Sequence, residues 1–180
     1  MSTIQERKMN LFGIRGLGTS DYEVAVDMDG VIAGFEEKVR EIFGKPMADI
    51  PTRQLWSGIS RYDKEVEPFF ETLPMMSDAK ELINFVDQNF RKWYILTASG
   101  YIPKNVDEQK RRWVAKAISP RVDVVVVRKS PEKANYAHPK AILVDDRRKS
   151  IDPWIAAGGI GVLHTSAADS IAQLKKIMAS

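Results

Sequence analysis

The stretch VDVVVV, residues 122–127, constrains the fold of this chain more than any other. Four consecutive valines cannot alternate between a dry and a wet face. A strand made of them must be covered on both sides, which is the environment inside a parallel sheet. AILVDD (141–146) has the same character, and YEVAVD (22–27), WYILT (93–97) and GIGVLH (159–164) supply three more strands. Parallel neighbours need long crossovers, and the segments between these strands have the pattern of helices.

GFEEKVREIFG places Phe35, Val39, Ile42 and Phe43 at helical spacing and ends at Gly44. SDAKELINFVDQNF opens on a capping Ser77 or Asp78 and sets Ala79, Leu82, Ile83, Val86 and Phe90 on one stripe. NVDEQKRRWVAKAI (105–118) is a helix with Trp113, Val114 and Ala117 turned inward and a solvated basic face. SIDPWIAAG (150–158) is a short helix or turn, and SAADSIAQLKKIM (166–178) is a final helix. Residues 1–21 are expected to form an arm or loop. Residues 45–77 are expected to be irregular, with Pro46, Pro51, Pro68 and Pro74 and the aromatics Trp56, Tyr62, Phe69 and Phe70. Alternation of strand and helix gives an α/β protein, a three-layer α/β/α Rossmann-like arrangement around a parallel sheet.

In such sheets ligands sit beyond the carboxyl ends of the strands. Polar chemistry collects at four of those ends: Asp27-Met28-Asp29, Thr97-Ala98-Ser99, Arg128-Lys129 followed by Lys133, and Asp145-Asp146. Each alone has a plain reading. DxDG is a turn, VDD and LTAS are helix caps, and a single lysine is a solvated surface group. Together, in order, each following an apolar strand, they point to one site. Two other signals carry less. GIRGLG (Gly13, Gly16, Gly18) has the look of a phosphate loop but precedes the first strand. QKRRWVAK has the look of a nucleic-acid surface, but an amphipathic helix explains it.

Composition narrows the chemistry. The 180 residues include no Cys, which removes thiolate metal sites and a Cys nucleophile. Four carboxylates at one sheet edge repel one another, and oxygen-only donors select a hard cation, Mg²⁺. A carboxylate can then attack phosphorus. Its approach to a phosphate dianion is opposed by roughly 8 kcal/mol at an effective dielectric near 20, which Mg²⁺ and one lysine ammonium reverse. Asp29 is placed to protonate the leaving oxygen, and Thr97 to donate to a phosphate oxygen.

These motifs resemble those of the haloacid dehalogenase superfamily of phosphohydrolases. VAVDMDGVIAGF is similar to its first motif, YILTAS to its second, the lysine after VVVVRKSPEK to its third and AILVDD to its fourth. Within it, DMDGVIAGF, ILTAS with QKRRWV downstream, VVVRKSPEK and ILVDD resemble the 5'(3')-deoxyribonucleotidase branch. The resemblance implies Asp27 as nucleophile, forming an aspartyl-phosphate, and Asp29 as general acid and then base. It implies Mg²⁺ held by the Asp27 carboxylate, the Asp29 backbone carbonyl and the Asp145/Asp146 pair, with Asp146 the direct ligand. It implies Thr97 and the Ala98 N–H on phosphate, Lys133 in preference to Lys129 as the third-motif lysine, and Phe35 lining a nucleobase pocket. Ala98 stands where that branch often has a second hydroxyl. The implied division is a catalytic core of residues 1–37 and 78–180 with a small helical cap insert at 38–77.

The expected function is a Mg²⁺-dependent phosphatase of 5'-nucleotidase type, a hydrolase acting on (deoxy)nucleoside monophosphates. The alternatives are a phosphatase for another small phosphomonoester such as a sugar phosphate, a nucleic-acid-binding or end-processing protein using the basic helix, and a catalytically silent scaffold. A net charge of +3 spread along the chain argues against nucleic acid. The absence of an apolar leader or an 18-residue apolar run gives the expectation of a cytoplasmic protein with no membrane partner.

Overall fold

The structure is a computed structural model and describes residues 14–100 and 103–180. The elements in chain order are β1 (Ile14–Arg15), β2 (Ser20–Val26), α1 (Phe35–Phe43), α2 (Thr52–Glu65), α3 (Ala79–Asn89), β3 (Phe90–Ala98), α4 (Val106–Ala117), β4 (Val124–Val127), β5 (Ala141–Asp145), α5 (Arg148–Ala156), β6 (Ile160–Leu163) and α6 (Ala167–Met178). Short 3₁₀ segments occupy Met47–Asp49 and Ser130–Tyr136.

Five strands are parallel and lie in the order β4-β3-β2-β5-β6. The first long strand, β2, is central. The chain moves to one side of it through β3 and β4, then returns to the other side through β5 and β6. Successive residues of each strand enter different layers, as the pleat requires. Val24, Val26, Ile95 and Val144 face one core with residues of α3, α4 and α6, including Leu82, Val114 and Leu174. Ala25, Leu96, Val125 and Leu143 face a second core built on Ile151 and Trp154 of α5. The valine run meets both cores: Val124 and Val126 pack on the first and Val125 and Val127 on the second, with Val126 and Val127 partly exposed.

Three expectations are corrected, and one signal already discounted in the sequence is explained. The segment before β2 is not only a loop: β1 pairs antiparallel with the start of β3, although residues 1–13 lie outside the described residues. Gly16 and Gly18 of GIRGLG form no phosphate loop. A side chain on Gly16 would run into the backbone of Asp87 and Phe90, and one on Gly18 into that of Asn89 and Phe90, so they are glycine because two chain segments meet there. Gly13 falls among the residues not described. Phe90 does not continue the helical stripe; it opens β3 and is still fully buried. Residues 45–77 are not irregular throughout. They contain the 14-residue α2, which starts just after Pro51. A proline there loses nothing, because the first N–H groups of a helix have no intrahelical partner.

Asp78 flanks α3 without capping it through its side chain. Its Oδ2 instead accepts the Ala167 N–H at 2.7 Å, tying the start of α6 to the start of α3. The chain leaves and re-enters the sheet region through paired backbone: Gly34 N–H donates to Pro74 O at 2.7 Å and Met76 N–H to Ile32 O at 2.9 Å. Residues between these points, including Leu55, Ile59, Phe69 and Phe70, join the same core as the sheet.

Candidate active site

β2 ends at Val26, and Asp27 follows at the carboxyl edge of the sheet, its N–H still bonded to Val144 O of β5 at 2.9 Å. The turn after it is tight: the N–H groups of Val31, Ile32 and Ala33 all donate to Met28 O. Gly30 has φ +80°, and a Cβ there would collide with the Asp146 carboxylate. Both facts require glycine, so DxDG here is a turn built to bring backbone against an acid.

Asp27, Asp145 and Asp146 each present a carboxylate oxygen within 4.8 Å of the others. Lys133 joins them. Its ammonium lies 2.7 Å from Asp27 Oδ1 and 2.7 Å from Asp145 Oδ2. It is buried and reaches the edge from the 3₁₀ segment that follows β4. Burial works to lower its pKa, but the charges of Asp27 and Asp145 outweigh this and hold it above the ordinary lysine value. Lys129, the other lysine of that region, is exposed and outside the cluster.

The two members of the Asp145-Asp146 pair differ. Asp145 is fully buried, with Oδ2 on Lys133 and Oδ1 accepting the Arg147 N–H at 2.9 Å. Burial and the Asp27 charge raise its pKa against the pull of Lys133. Asp146 is open to solvent. Lost hydration at the crowded edge, then the charges of Asp27 and Asp145, push it up to about 7. Desolvation is the larger cause, and the two neighbouring carboxylates add to it. Oxygen-only donors, mutual repulsion and a solvent-facing Asp146 together fit a hard divalent cation.

Asp29 stands apart from that trio and has its own cation, Lys110. The Lys110 ammonium donates to Asp29 Oδ2 at 2.6 Å, Thr97 Oγ1 at 2.8 Å and Ala98 O at 2.8 Å. It also lies 5.0 Å from the centre of the Phe70 ring. Asp29 Oδ1 is buried and has no hydrogen-bond partner among the described residues. Burial raises the Asp29 pKa most. The Asp27 charge adds to this, and Lys110 opposes it. Thr97 is fully buried, and since its oxygen accepts from Lys110 its own O–H is left to donate. The Ser99 hydroxyl is used locally, on Gly100 O and Val127 O.

Lys110 is the residue that sequence reasoning missed, having been placed with the solvated basic face of α4. Its side chain is 0% exposed. The signal was in the spacing. Val106, Lys110, Trp113 and Val114 share the inward stripe of α4 at i, i+4, i+7 and i+8, and all are buried. With Lys110 and Trp113 both turned inward, QKRRWVAK loses a cation and its aromatic as a nucleic-acid surface.

Phe35 begins α1 and is half-buried at the middle of an aromatic group. Its ring centre lies 6.0 Å from Trp56, 5.5 Å from Phe69 and 6.0 Å from Phe70. Phe69 and Phe70 are core residues, whereas Trp56 is partly exposed. It lines a cavity of about 1020 Å³ between α2 and Gly100, with Arg53, Ser57, Ser60 and Arg61. Gly100 lies two residues past Ala98 in the chain, and Asp27, Asp29, Thr97 and Lys133 are not among the described residues that line this cavity.

No family model matches the chain, and no curated protein matches it. Solved structures of similar shape exist. A hydrolase from Streptococcus pneumoniae TIGR4 has 14% identity and a TM-score of 0.48, covering 89% of this chain and 100% of that one. A HAD family hydrolase from Deinococcus radiodurans R1, with bound phosphate and sodium, has 13% identity and a TM-score of 0.49 over 84% and 87%. L-2-haloacid dehalogenase from Xanthobacter autotrophicus has 14% identity and a TM-score of 0.48 over 78% and 76%. At these identities and scores the likeness says nothing of activity.

Proposed function

We propose that the protein is a phosphomonoester hydrolase of the haloacid dehalogenase type, dependent on Mg²⁺, with (deoxy)nucleoside monophosphates as substrates. The observation that carries the reading is the Lys133 ammonium set between Asp27 and Asp145, with Asp146 completing a three-carboxylate cluster at the sheet edge. Asp27, Asp146 and the Asp29 backbone carbonyl would hold the cation, with Asp145 behind them fixing Lys133. When bound, the cation supplies positive charge that offsets the phosphate dianion beside Asp27.

The chain's own residues do the rest. The Asp27 carboxylate attacks phosphorus, and the bond to the leaving oxygen breaks with its electron pair. Asp29, whose burial favours the protonated form, gives that oxygen a proton. Thr97 donates its O–H, and Ala98 its N–H, to the phosphoryl oxygens. Water then attacks phosphorus and gives a proton to Asp29. The bond from phosphorus to the Asp27 oxygen breaks, restoring the carboxylate and releasing inorganic phosphate. Residues 38–77 act in this reading as a small cap, and the half-exposed Trp56 with Phe35 behind it suits the flat base of a nucleotide better than a bare sugar.

The test is phosphate release from a panel of nucleotides, sugar phosphates and p-nitrophenyl phosphate, with and without Mg²⁺. Metal-dependent release is expected. Asp27→Asn should abolish it, since an amide neither attacks phosphorus nor binds Mg²⁺ well. Substantial turnover by that variant would remove Asp27 from the reaction.

A further inference from the structure

We infer that Lys110 is a positioning residue for the general acid: it fixes the orientation of the Asp29 carboxylate. This inference rests on the phosphohydrolase reading and adds to it a residue that lies outside all four motifs. A lysine ammonium has three N–H donors. Here all three have an oxygen partner within 2.8 Å, from the turn after β2 and the end of β3: Asp29 Oδ2, Thr97 Oγ1 and Ala98 O. A fully buried, fully bonded cation has no donor left for substrate. It acts through the groups that it holds.

The consequence for Asp29 is asymmetric. Oδ2 is fixed by the ammonium at 2.6 Å, so the carboxylate cannot turn without losing a charge-assisted bond to a fully buried cation. Oδ1 is buried and has no hydrogen-bond partner among the described residues, so the ammonium at Oδ2 is what fixes the carboxylate. The same ammonium accounts for the Thr97 rotamer, because it occupies the hydroxyl oxygen and turns the O–H elsewhere. Acid and phosphate donor are therefore set by one group. The preceding residue extends the arrangement towards residues 66–76. Gln109, fully buried, accepts the Phe70 N–H at 2.8 Å and donates to Asp63 at 2.6 Å, while the Phe70 ring lies beneath the Lys110 ammonium. Adjacent residues of α4 thus hold the segment over the site and the acid within it.

The experiment compares wild type with Lys110→Met, of similar length and without donors, on an alkyl phosphate and on p-nitrophenyl phosphate. An alkoxide needs the proton from Asp29, whereas p-nitrophenolate needs it far less. The expected result is a loss in kcat of about 10²-fold on the alkyl phosphate and under about 10-fold on p-nitrophenyl phosphate, in line with the usual size of general-acid effects. In an Asp29→Asn background the selective part of the loss should vanish, since the residue acted upon is already disabled. Equal losses on both substrates, or full additivity with Asp29→Asn, would overturn the proposal. Lys110→Arg serves should the methionine variant not fold. It keeps the charge but cannot aim three donors from one nitrogen, and the same substrate ratio decides. A crystal structure of either variant gives a readout apart from turnover: Asp29 is expected to leave its single rotamer while Asp27 and Asp145 stay in place. An unmoved Asp29 would refute the inference even if the phosphohydrolase reading holds. Wild-type protein inactive on the whole panel would overturn that reading instead.

Discussion

At the scale of single residues, the site is a matter of which charges are shared. Lys133 serves two buried acids, and its removal leaves Asp27 and Asp145 facing each other without a counter-charge. Breaking a buried pair in this way costs about 3–5 kcal/mol. Lys133→Met is therefore expected to lower Tm markedly and to abolish turnover, whereas Lys129→Met should stay within about 0.5 kcal/mol of wild type, as exposed substitutions do. Thermal denaturation and phosphate release on the two variants check this. A Lys133→Met protein as stable and active as wild type would exclude the bridging role. The preference for Lys133 over Lys129 came from the resemblance to the deoxyribonucleotidase branch, because Glu132-Lys133 matches the third-motif pattern of that branch. Lys110 was not legible, because a lysine among arginines reads as solvated surface. Only its place on the stripe with Val106, Trp113 and Val114 marks it as buried, and a charge on such a stripe means a partner must lie elsewhere in the fold.

At the scale of elements, the parallel strands were legible and several boundaries were not. Continuous apolar strands declare burial on both faces, and all five appear within a few residues of the expected spans. β1 was not legible, since two residues pairing at an edge carry no pattern. The helix α2 was obscured by the prolines around it, although Leu55, Ile59 and Tyr62 mark a stripe at helical spacing. Ser77 or Asp78 was expected to cap α3, but the Asp78 carboxylate accepts the Ala167 N–H at the start of α6 across the fold, a choice that no local pattern encodes. That contact gives a prediction at this scale. Asp78→Ala removes the acceptor for the Ala167 N–H and should cost about 0.5–2 kcal/mol, the usual worth of an N-cap. Both helices start at the carboxyl edge of the sheet, where the His164 N–H donates to Asp145 O at 2.9 Å, but Asp78 is no part of the three-carboxylate cluster, so kcat is expected to change little. A urea titration alongside turnover measures both, and a large loss of activity at unchanged stability would show that α6 influences the site.

At the scale of the whole molecule, the sheet puts its charged edge under the segment that leaves at residues 32–34 and returns at 74–76. The order β4-β3-β2-β5-β6 sets Asp27 between Thr97 of β3 and Asp145 of β5, because β2 pairs with both. Motif order along the chain was enough to anticipate this convergence. What the segment selects was not legible in the same way, since its aromatics divide between core and cavity only once folded. Phe69 and Phe70 are buried, Phe35 is half-buried, and Trp56 keeps a face towards the cavity beside Gly100. A flat base stacked on that face would contribute about 1–3 kcal/mol. Nucleoside monophosphates should then exceed ribose 5-phosphate by roughly 10–100-fold in kcat/KM, the factor that such an energy allows. Trp56→Ala should remove most of this advantage and leave ribose 5-phosphate nearly unchanged. Phe35→Ala should reduce it too, but with a loss of stability, because its ring packs on three others. Steady-state kinetics on the two substrates with wild type and Trp56→Ala decide the matter. If ribose 5-phosphate equals or exceeds the nucleotides with wild-type protein, the nucleotide assignment fails while the Asp27 chemistry stands. If nucleotides win but Trp56→Ala changes nothing, the base is recognised elsewhere than on α2.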